Sequence, residues 1–377
     1  MPKILFLTAY PIEDASCRYR VHQFLPYLES AGYECTVSAF CSPELFSALK
    51  FSGKIRTKVT GTLHCTVQRL FQLFDISKFD FIVIHREAFP FFAPHIENWV
   101  LRRHQKVIFS FDDAIYAGHN EVAHLNHPRL YRWKHGRKYD EVIRRSTQVI
   151  AGNRILAEYA RRFNPSVSVI PTVVDCRQYS LRAQVAEPHG SRPVTVGWVG
   201  SRSTAPYLTL VESALRRLAH SYPGGVCFRF IGHPAYAPNI PYSSSVPFRL
   251  ESEIEDLHSI DIGLMPLPDT EWTRGKCAFK AIQYMASGIP VVASPVGMTP
   301  DLIQHGVNGL LASSSDDWFR ELERLICDPE LRGGIAVAGR KTVEQSYSLE
   351  KWAPRFVGLF DNLRDEKRVF QIEHIAA

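Results

Sequence analysis

Residues 274–301 read R-G-K-C-A-F-K-A-I-Q-Y-M-A-S-G-I-P-V-V-A-S-P-V-G-M-T-P-D, a composition suited to holding an anion. Phe279, Ile282, Met285 and Ala286 recur at helical spacing, which predicts a helix over 277–287. Arg274, Lys276 and Lys280 bring three cations to its start, where the helix dipole disfavours positive charge by about 0.3–1 kcal/mol each. Lys276, Lys280 and Gln283 stand at i, i+4 and i+7 and project from one face of such a helix. A phosphate or pyrophosphate would answer those charges together with the first amides of the helix. A solvated basic face is the plain alternative. Gly288 falls where a helix ends in positive φ, and Pro290 blocks continuation. Residues 289–293 then read as a strand buried on both faces. Gly297 and Met298 follow in a loop at its carboxyl end, where open α/β sheets hold their ligands.

Other reactive side chains also fall at strand ends. The run 107–111 leads straight into Asp112 and Asp113, and adjacent carboxylates need solvent, a cation or a function. The run 81–84 ends in His85, Arg86 and Glu87, well placed for a site, although a lone histidine there is often structural. The run 3–9 opens into a loop carrying Arg18 and Arg20, which read equally as anion contacts or as surface charges. The run 194–199 ends in Gly200, Ser201, Arg202, Ser203 and Thr204, a close-approach glycine with hydroxyls and a cation before a helix. His119, His124 and His127 lie close together, but their spacing is not that of metal ligands on a helix, and no metal is expected.

The order K-x-x-x-K-x-x-Q-Y-M-A-S-G-I-P-V-V-A-S-P-V-G, followed by D-L-I-Q-H-G-V-N-G-L-L, resembles the donor-binding half of the family 4 (group 1) retaining glycosyltransferases. The resemblance implies the GT-B fold: an α/β protein of two doubly wound Rossmann-like domains facing a cleft, with a terminal helix crossing back to the first. That family usually carries two glutamates in the places that Gly275 and Gln283 hold here. Gln283 retains the capacity to hydrogen-bond a ribose without the charge. By the same resemblance Gly200, Ser201, Arg202, Thr204, Lys276, Lys280, Gln283, Gly297 and Met298 would bind the donor. Arg18, Arg20 and Arg86 would face the acceptor, and His85, Asp112 and Asp113 would serve catalysis near the reacting sugar. F-D-D-A-I-Y resembles a subgroup with an acidic pair where others carry a histidine.

These residues need strands to carry them, and the chain supplies them in order. The succession of strand, loop, helix, glycine and strand over 3–40 is a βαβ unit without a G-x-G-x-x-G dinucleotide fingerprint. The expected division is a first domain over 1–182, a linker over 183–193 and a second domain over 194–349, with 350–377 packing back on the first. V-I-P-T-V-V-D resembles the strand that closes the first domain of the family. Leu349, Trp352, Phe356, Phe360 and Leu363 form one apolar stripe on the terminal helix.

At 377 residues and 45% hydrophobic content the chain can bury two cores. It has no apolar run long enough to span a bilayer, and its eight cysteines, without a C-x-x-C pair, read as reduced thiols of a cytoplasmic protein. Residues 1–189 carry 25 Lys and Arg against 17 Asp and Glu, while the remainder is slightly acidic. No nucleic-acid module is present, so an anionic membrane surface or an acidic acceptor suits this charge better. The stretches 45–80 and 131–145 combine cations with apolar residues; they read as membrane-facing or as ordinary surface helices. The expected activity is transfer of a sugar from a nucleotide diphosphate to a glycan or lipid-linked hydroxyl in bacterial surface polysaccharide assembly, with no cofactor. A non-catalytic sugar-nucleotide-binding subunit and an epimerase of the same architecture are the alternatives.

Overall fold

The computed structural model describes residues 1–50, 53–90, 95–117, 138–181, 192–232 and 239–375. They form two compact units, one of Met1–Val173 with Leu349–Ala377 and one of Val174–Ser348.

The first unit is built on a parallel sheet of β1 (Lys3–Thr8), β2 (Glu34–Ala39), β3 (Phe81–His85), β4 (Val107–Phe111), β5 (Gln148–Ala151) and β6 (Val167–Val169). Their order is β2-β1-β3-β4-β5-β6, so the winding reverses between β1 and β3. The helices are α1 (Ala15–Arg20), α2 (Leu25–Ser30), α3 (Pro43–Lys50), α4 (Ile55–Leu73), α5 (His95–Arg103), α6 (Lys138–Arg145) and α7 (Arg154–Arg161). β3 and β4 are buried along their whole length, as charge-free strands covered on both faces must be. The helix after β1 breaks between α1 and α2, because Pro26 lacks the N–H that would bind the carbonyl of His22. α3 and α4 are likewise separate, with Gly53 and Lys54 both at positive φ. The terminal helix Leu349–Ile375 lays Leu349, Ala353, Phe356, Phe360 and Leu363 against Phe6, Phe24, Tyr33 and Phe81. Asp361 on it accepts a hydrogen bond from the Tyr33 hydroxyl at 2.7 Å.

In the second unit the strands are β7 (Val194–Val199), β8 (Val226–Gly232), β9 (Ser243–Pro247), β10 (Ile262–Met265), β11 (Val291–Ala293) and β12 (Leu310–Leu311). All run parallel in the order β12-β11-β10-β7-β8-β9, with the reversal between β7 and β10. The helices are α8 (Thr209–Ser221), α9 (Glu253–His258), α10 (Glu271–Arg274), α11 (Phe279–Ala286), α12 (Thr299–Leu302), α13 (Ser315–Cys327) and α14 (Pro329–Ser346). Tyr284 ties α11 to the sheet, its hydroxyl accepting from the Val199 amide at 2.8 Å and its ring lying against Gly263.

The passage from first unit to second falls at Val173 and Val174, earlier than the sequence division at 182. Residues after Val174 are held by α14: the Arg340 guanidinium donates to the carbonyls of Cys176, Tyr179 and Ala286. Its local pair, with Glu344 at 2.6 Å, reads as an ordinary helix-surface ion pair and does not announce these carbonyls. Most of the linker read over 183–193 lies outside the described residues.

Candidate functional site

Each unit gathers candidate side chains at the carboxyl ends of its strands, beside the point where its winding reverses. Open parallel sheets form ligand crevices there, because adjacent loops diverge to opposite faces.

In the first unit His85 closes β3, and Asp112 and Asp113 follow β4 directly. Arg86 adopts a left-handed backbone at φ 60° and turns its guanidinium between the two carboxylates. Its Nε donates to Asp112 Oδ1 at 2.6 Å, and Nη2 donates to Asp113 Oδ2. The adjacent acids therefore have their cation within the unit. Ser16 on α1 supplies a further link, its hydroxyl 2.7 Å from Asp112 Oδ2 and 2.8 Å from His85 Nε2. An ionised Asp112 can only accept, so Ser16 donates to it and takes the His85 Nε2–H in return. Burial pushes the His85 imidazole down to about 3, against the opposing pull of Asp112. Burial acts to raise the Asp112 carboxyl, but Arg86, His85 and Arg20 together outweigh it and hold the group below its usual range. An acid so strong is a weak proton acceptor, and Asp112 contributes fixed negative charge.

The three arginines assigned to the acceptor occupy different environments. Arg86 is engaged by the acidic pair, as described. Arg20 is buried and donates to the Ile170 carbonyl, which removes it from the surface an acceptor would touch. Arg18 is half-buried, with its guanidinium 4.9 Å from the Tyr19 ring and Nη1 donating to the Ile12 carbonyl at 3.3 Å.

Two cations counted among basic surface stretches are interior. Arg69 of α4 donates to Ser38 Oγ at 2.8 Å and to the Thr8 and Ser38 carbonyls at 3.0 Å, below the carboxyl ends of β1 and β2. Lys138 of α6 is buried, donating to Glu87 Oε1 at 3.0 Å and to the Phe89 carbonyl at 3.2 Å. Glu97 stands 3.4 Å from the same ammonium. Burial acts to lower the Lys138 pKa, but Glu87 and Glu97 reverse the sign and raise it. The partners of both cations are remote in sequence, so local pattern could not place them. The histidines at 119, 124 and 127 lie outside the described residues.

In the second unit the predicted helix over 277–287 is shorter at its start. Ala278 takes a left-handed conformation at φ 48°, and α11 begins only at Phe279. Lys276 consequently lies before the helix, with its ammonium 5.2 Å from the Trp272 ring, and does not share a helical face with Lys280. Arg274 ends the separate helix α10 and forms a bidentate pair with Asp269 at 2.6 and 3.0 Å. Lys280 remains on α11, donating to Gln283 Oε1 at 3.0 Å. The Gln283 amide nitrogen donates to the Tyr179 hydroxyl at 2.7 Å and to Glu253 Oε1 at 2.8 Å. Both its N–H bonds are thereby used inside the unit. Neither Glu253 nor Tyr179 was singled out from sequence. A glutamate opening the helix after β9 carried a weak signal, and Tyr179 none.

Two turns let main chain approach closely. Gly232 at the end of β8 has φ 146°, and a Cβ there would lie 1.9 Å from the Gly200 carbonyl oxygen. Gly297 has φ 63°, and its Cβ would meet the Arg274 carbonyl oxygen at 2.4 Å. Ser201, Arg202 and Ser203 are exposed beyond β7, and the Ser201 amide donates to Thr204 Oγ1 at 3.2 Å. Met298 is buried. Among the described residues the buried Thr299 hydroxyl, next to the Gly297 turn, finds no hydrogen-bond partner.

Two parallel α/β units with loop-borne polar groups at their strand ends define a Rossmann-like protein of the GT-B fold class. Over nearly its full length the chain is similar to sucrose-phosphate synthase from Thermosynechococcus elongatus, with TM-score 0.68 and 15% identity over 97% of this chain and 100% of that one. The Anabaena protein HepE, solved with UDP and glucose, is similar at TM-score 0.65 and 15% identity, covering 96% of this chain and 100% of that one. Within the second unit, residues 194–328 match the family described as Glycosyl transferases group 1. An 89-residue stretch is 30% identical to N-acetyl-alpha-D-glucosaminyl L-malate synthase of Bacillus anthracis, 23% of either chain. The match thus spans about a quarter of that relative's length.

Proposed function

We propose that the protein is a retaining glycosyltransferase that moves a sugar from a nucleotide-diphosphate donor to a hydroxyl acceptor. The observation that carries this reading is the second unit's arrangement: Lys280 at the start of α11 and close-approach turns at Gly232 and Gly297, within the segment that matches group 1 glycosyl transferases. Breaking a glycosidic bond to a diphosphate develops negative charge on the leaving oxygen, and fixed cations and amides stabilise it most where water is excluded. Lys280, Lys276, Arg202 and the amides of the Gly297 turn, including that of Met298, would meet that charge without a metal ion. A HepE structure holds UDP-glucose, which supports a nucleotide sugar as the donor class.

The first unit takes the acceptor in this reading. The Asp112 carboxylate and the Arg86 guanidinium supply fixed charge, and Asp113 is the better placed of the pair to take a proton, being less buried than Asp112. The reaction belongs in the cytoplasm, where activated sugars feed surface polysaccharide assembly. A second reading, a subunit that binds the nucleotide sugar without transferring it, is favoured by Gly275 in place of a family glutamate and by the fully engaged Gln283 amide.

A thermal-shift screen of nucleotide sugars tests the binding step, since a ligand of the folded state raises the midpoint by mass action. Transfer to acceptor lipids or glycans then tests the chemistry with the donor that binds. Binding without transfer or slow hydrolysis would support the subunit reading; no shift with any nucleotide sugar would defeat both.

A further inference from the structure

α4 is a 19-residue helix without a single Asp or Glu. Cys65, Arg69 and Leu73 are buried and fix its inner face to the body of the first unit. The opposite face is apolar and bare. Ile55, Val59, Leu63 and Val67 recur every fourth residue, and Phe71 and Phe74 extend the row, with exposures from 43% at Val67 to 77% at Phe74. At a rise of about 1.5 Å per residue the helix presents this row along roughly 28 Å. Beside its C-terminal half a groove of about 510 Å³ is lined by Leu70, Phe71, Phe74, Ile96 and Trp99, the last two from α5. Such a contiguous apolar surface marks an interaction site in a protein that has two cores to hide it in.

The charges say which partner fits. Lys54 and Arg56 are exposed at the helix start, where the dipole disfavours them, and no acid in the first turn compensates. Arg103 lies over the Trp99 ring at 5.2 Å, placing another cation at the rim of the groove. A second copy docking through the same face would bring no acid from α4 to pair with these cations. An anionic bilayer takes both features at once, burying the apolar row at the acyl boundary while the cations reach the headgroups.

We propose that the outer face of α4, with the rim of α5, docks the protein on an anionic phospholipid surface. The apolar row lies in the interface plane, and Lys54, Arg56 and Arg103 contact acidic headgroups. The docking is independent of whether the protein transfers a sugar.

Co-sedimentation of the full chain with vesicles tests this directly. Binding is expected to phosphatidylglycerol–phosphatidylcholine vesicles, weakly if at all to phosphatidylcholine alone, and to fall as salt shortens the Debye length. Replacing Phe71 and Phe74 together by serine should lower the vesicle affinity on the order of tenfold or more, because each buries apolar surface on docking. Both positions are exposed, so the variant should melt as the parent does. Arg56→Glu should remove the preference for anionic vesicles while leaving the apolar row intact. Failure of the unaltered chain to bind anionic vesicles would overturn the proposal, as would unchanged binding by the double variant. A concentration-dependent dimer dissociated by the double variant, with no vesicle binding, would assign the face to a second copy instead.

Discussion

Gln283 donates a hydrogen bond to Glu253 at 2.8 Å, so the amide at the position where the sequence resemblance implies a carboxylate is itself bonded to one. A glutamate at position 283 would place two acids against each other in a buried setting, and the amide avoids that repulsion. Tyr179 takes the other N–H at 2.7 Å, which joins the segment after Val174 to α11.

The first prediction concerns this junction. Gln283→Ala should destabilise the second unit by roughly 1–3 kcal/mol, since the Tyr179 hydroxyl and the Glu253 carboxylate lose a buried donor. Urea unfolding followed by tryptophan fluorescence measures it. A midpoint equal to that of the parent would show that water or a rearranged side chain replaces the amide.

Lys280→Ala separates binding from folding. The ammonium is only half-buried, so the melting temperature should change little. Affinity for the nucleotide sugar that stabilises the parent should fall by about 1.5–3 kcal/mol, the worth of a hydrogen bond to a charged group. Titration calorimetry on both proteins decides. Equal affinities would remove the anion-site argument for α11.

Periodicity made much of this legible. Charge-free strands such as Phe81–His85 and Val107–Phe111, and the stripe of Leu349, Phe356 and Phe360, depend on local pattern, and the α/β class followed from their succession. What pattern missed depends on contacts between distant residues or on a single backbone torsion. Ala278 interrupts the helix with positive φ, yet alanine carries none of the signal that glycine or proline would, and Lys276 was misplaced for that reason. Arg69 and Lys138 read as surface cations because Thr8, Ser38, Glu87 and Glu97, which hold them inside, are far along the chain. Ser16 is a hydroxyl in a short helix, and its place between His85 and Asp112 exists only once the sheet brings β3 and β4 beside α1.

Arg86→Ala should cost the first unit roughly 3 kcal/mol at neutral pH, because it leaves the buried Asp112 carboxylate without its cation. With the guanidinium gone, the largest opposing charge is lost and burial raises the Asp112 pKa relative to the parent. The variant then loses less stability than the parent as pH falls, so the deficit should shrink on acidification toward about pH 4. Thermal melts of parent and variant across that range provide the check. A deficit independent of pH would point to lost packing in place of lost charge.

His85 gives the opposite sign. Its imidazole is buried and pushed down to about 3, against 6.5 for an unperturbed histidine. Between those values the unfolded chain binds a proton that the folded one refuses, so stability conferred by the neutral ring is present above pH 6.5 and declines as pH falls toward 3. The loss across the window is on the order of a few kcal/mol, each pKa unit being worth about 1.4 kcal/mol. His85→Gln retains a donor for the Ser16 hydroxyl but cannot take a proton. Its stability at neutral pH should stay close to that of the parent, and its decline on acidification should be shallower. Unfolding midpoints in urea from pH 7 to about pH 4 compare the two slopes. Parallel curves would mean that the ring protonates in place, through an opening of the Ser16 link, and that His85 is not held neutral by its surroundings.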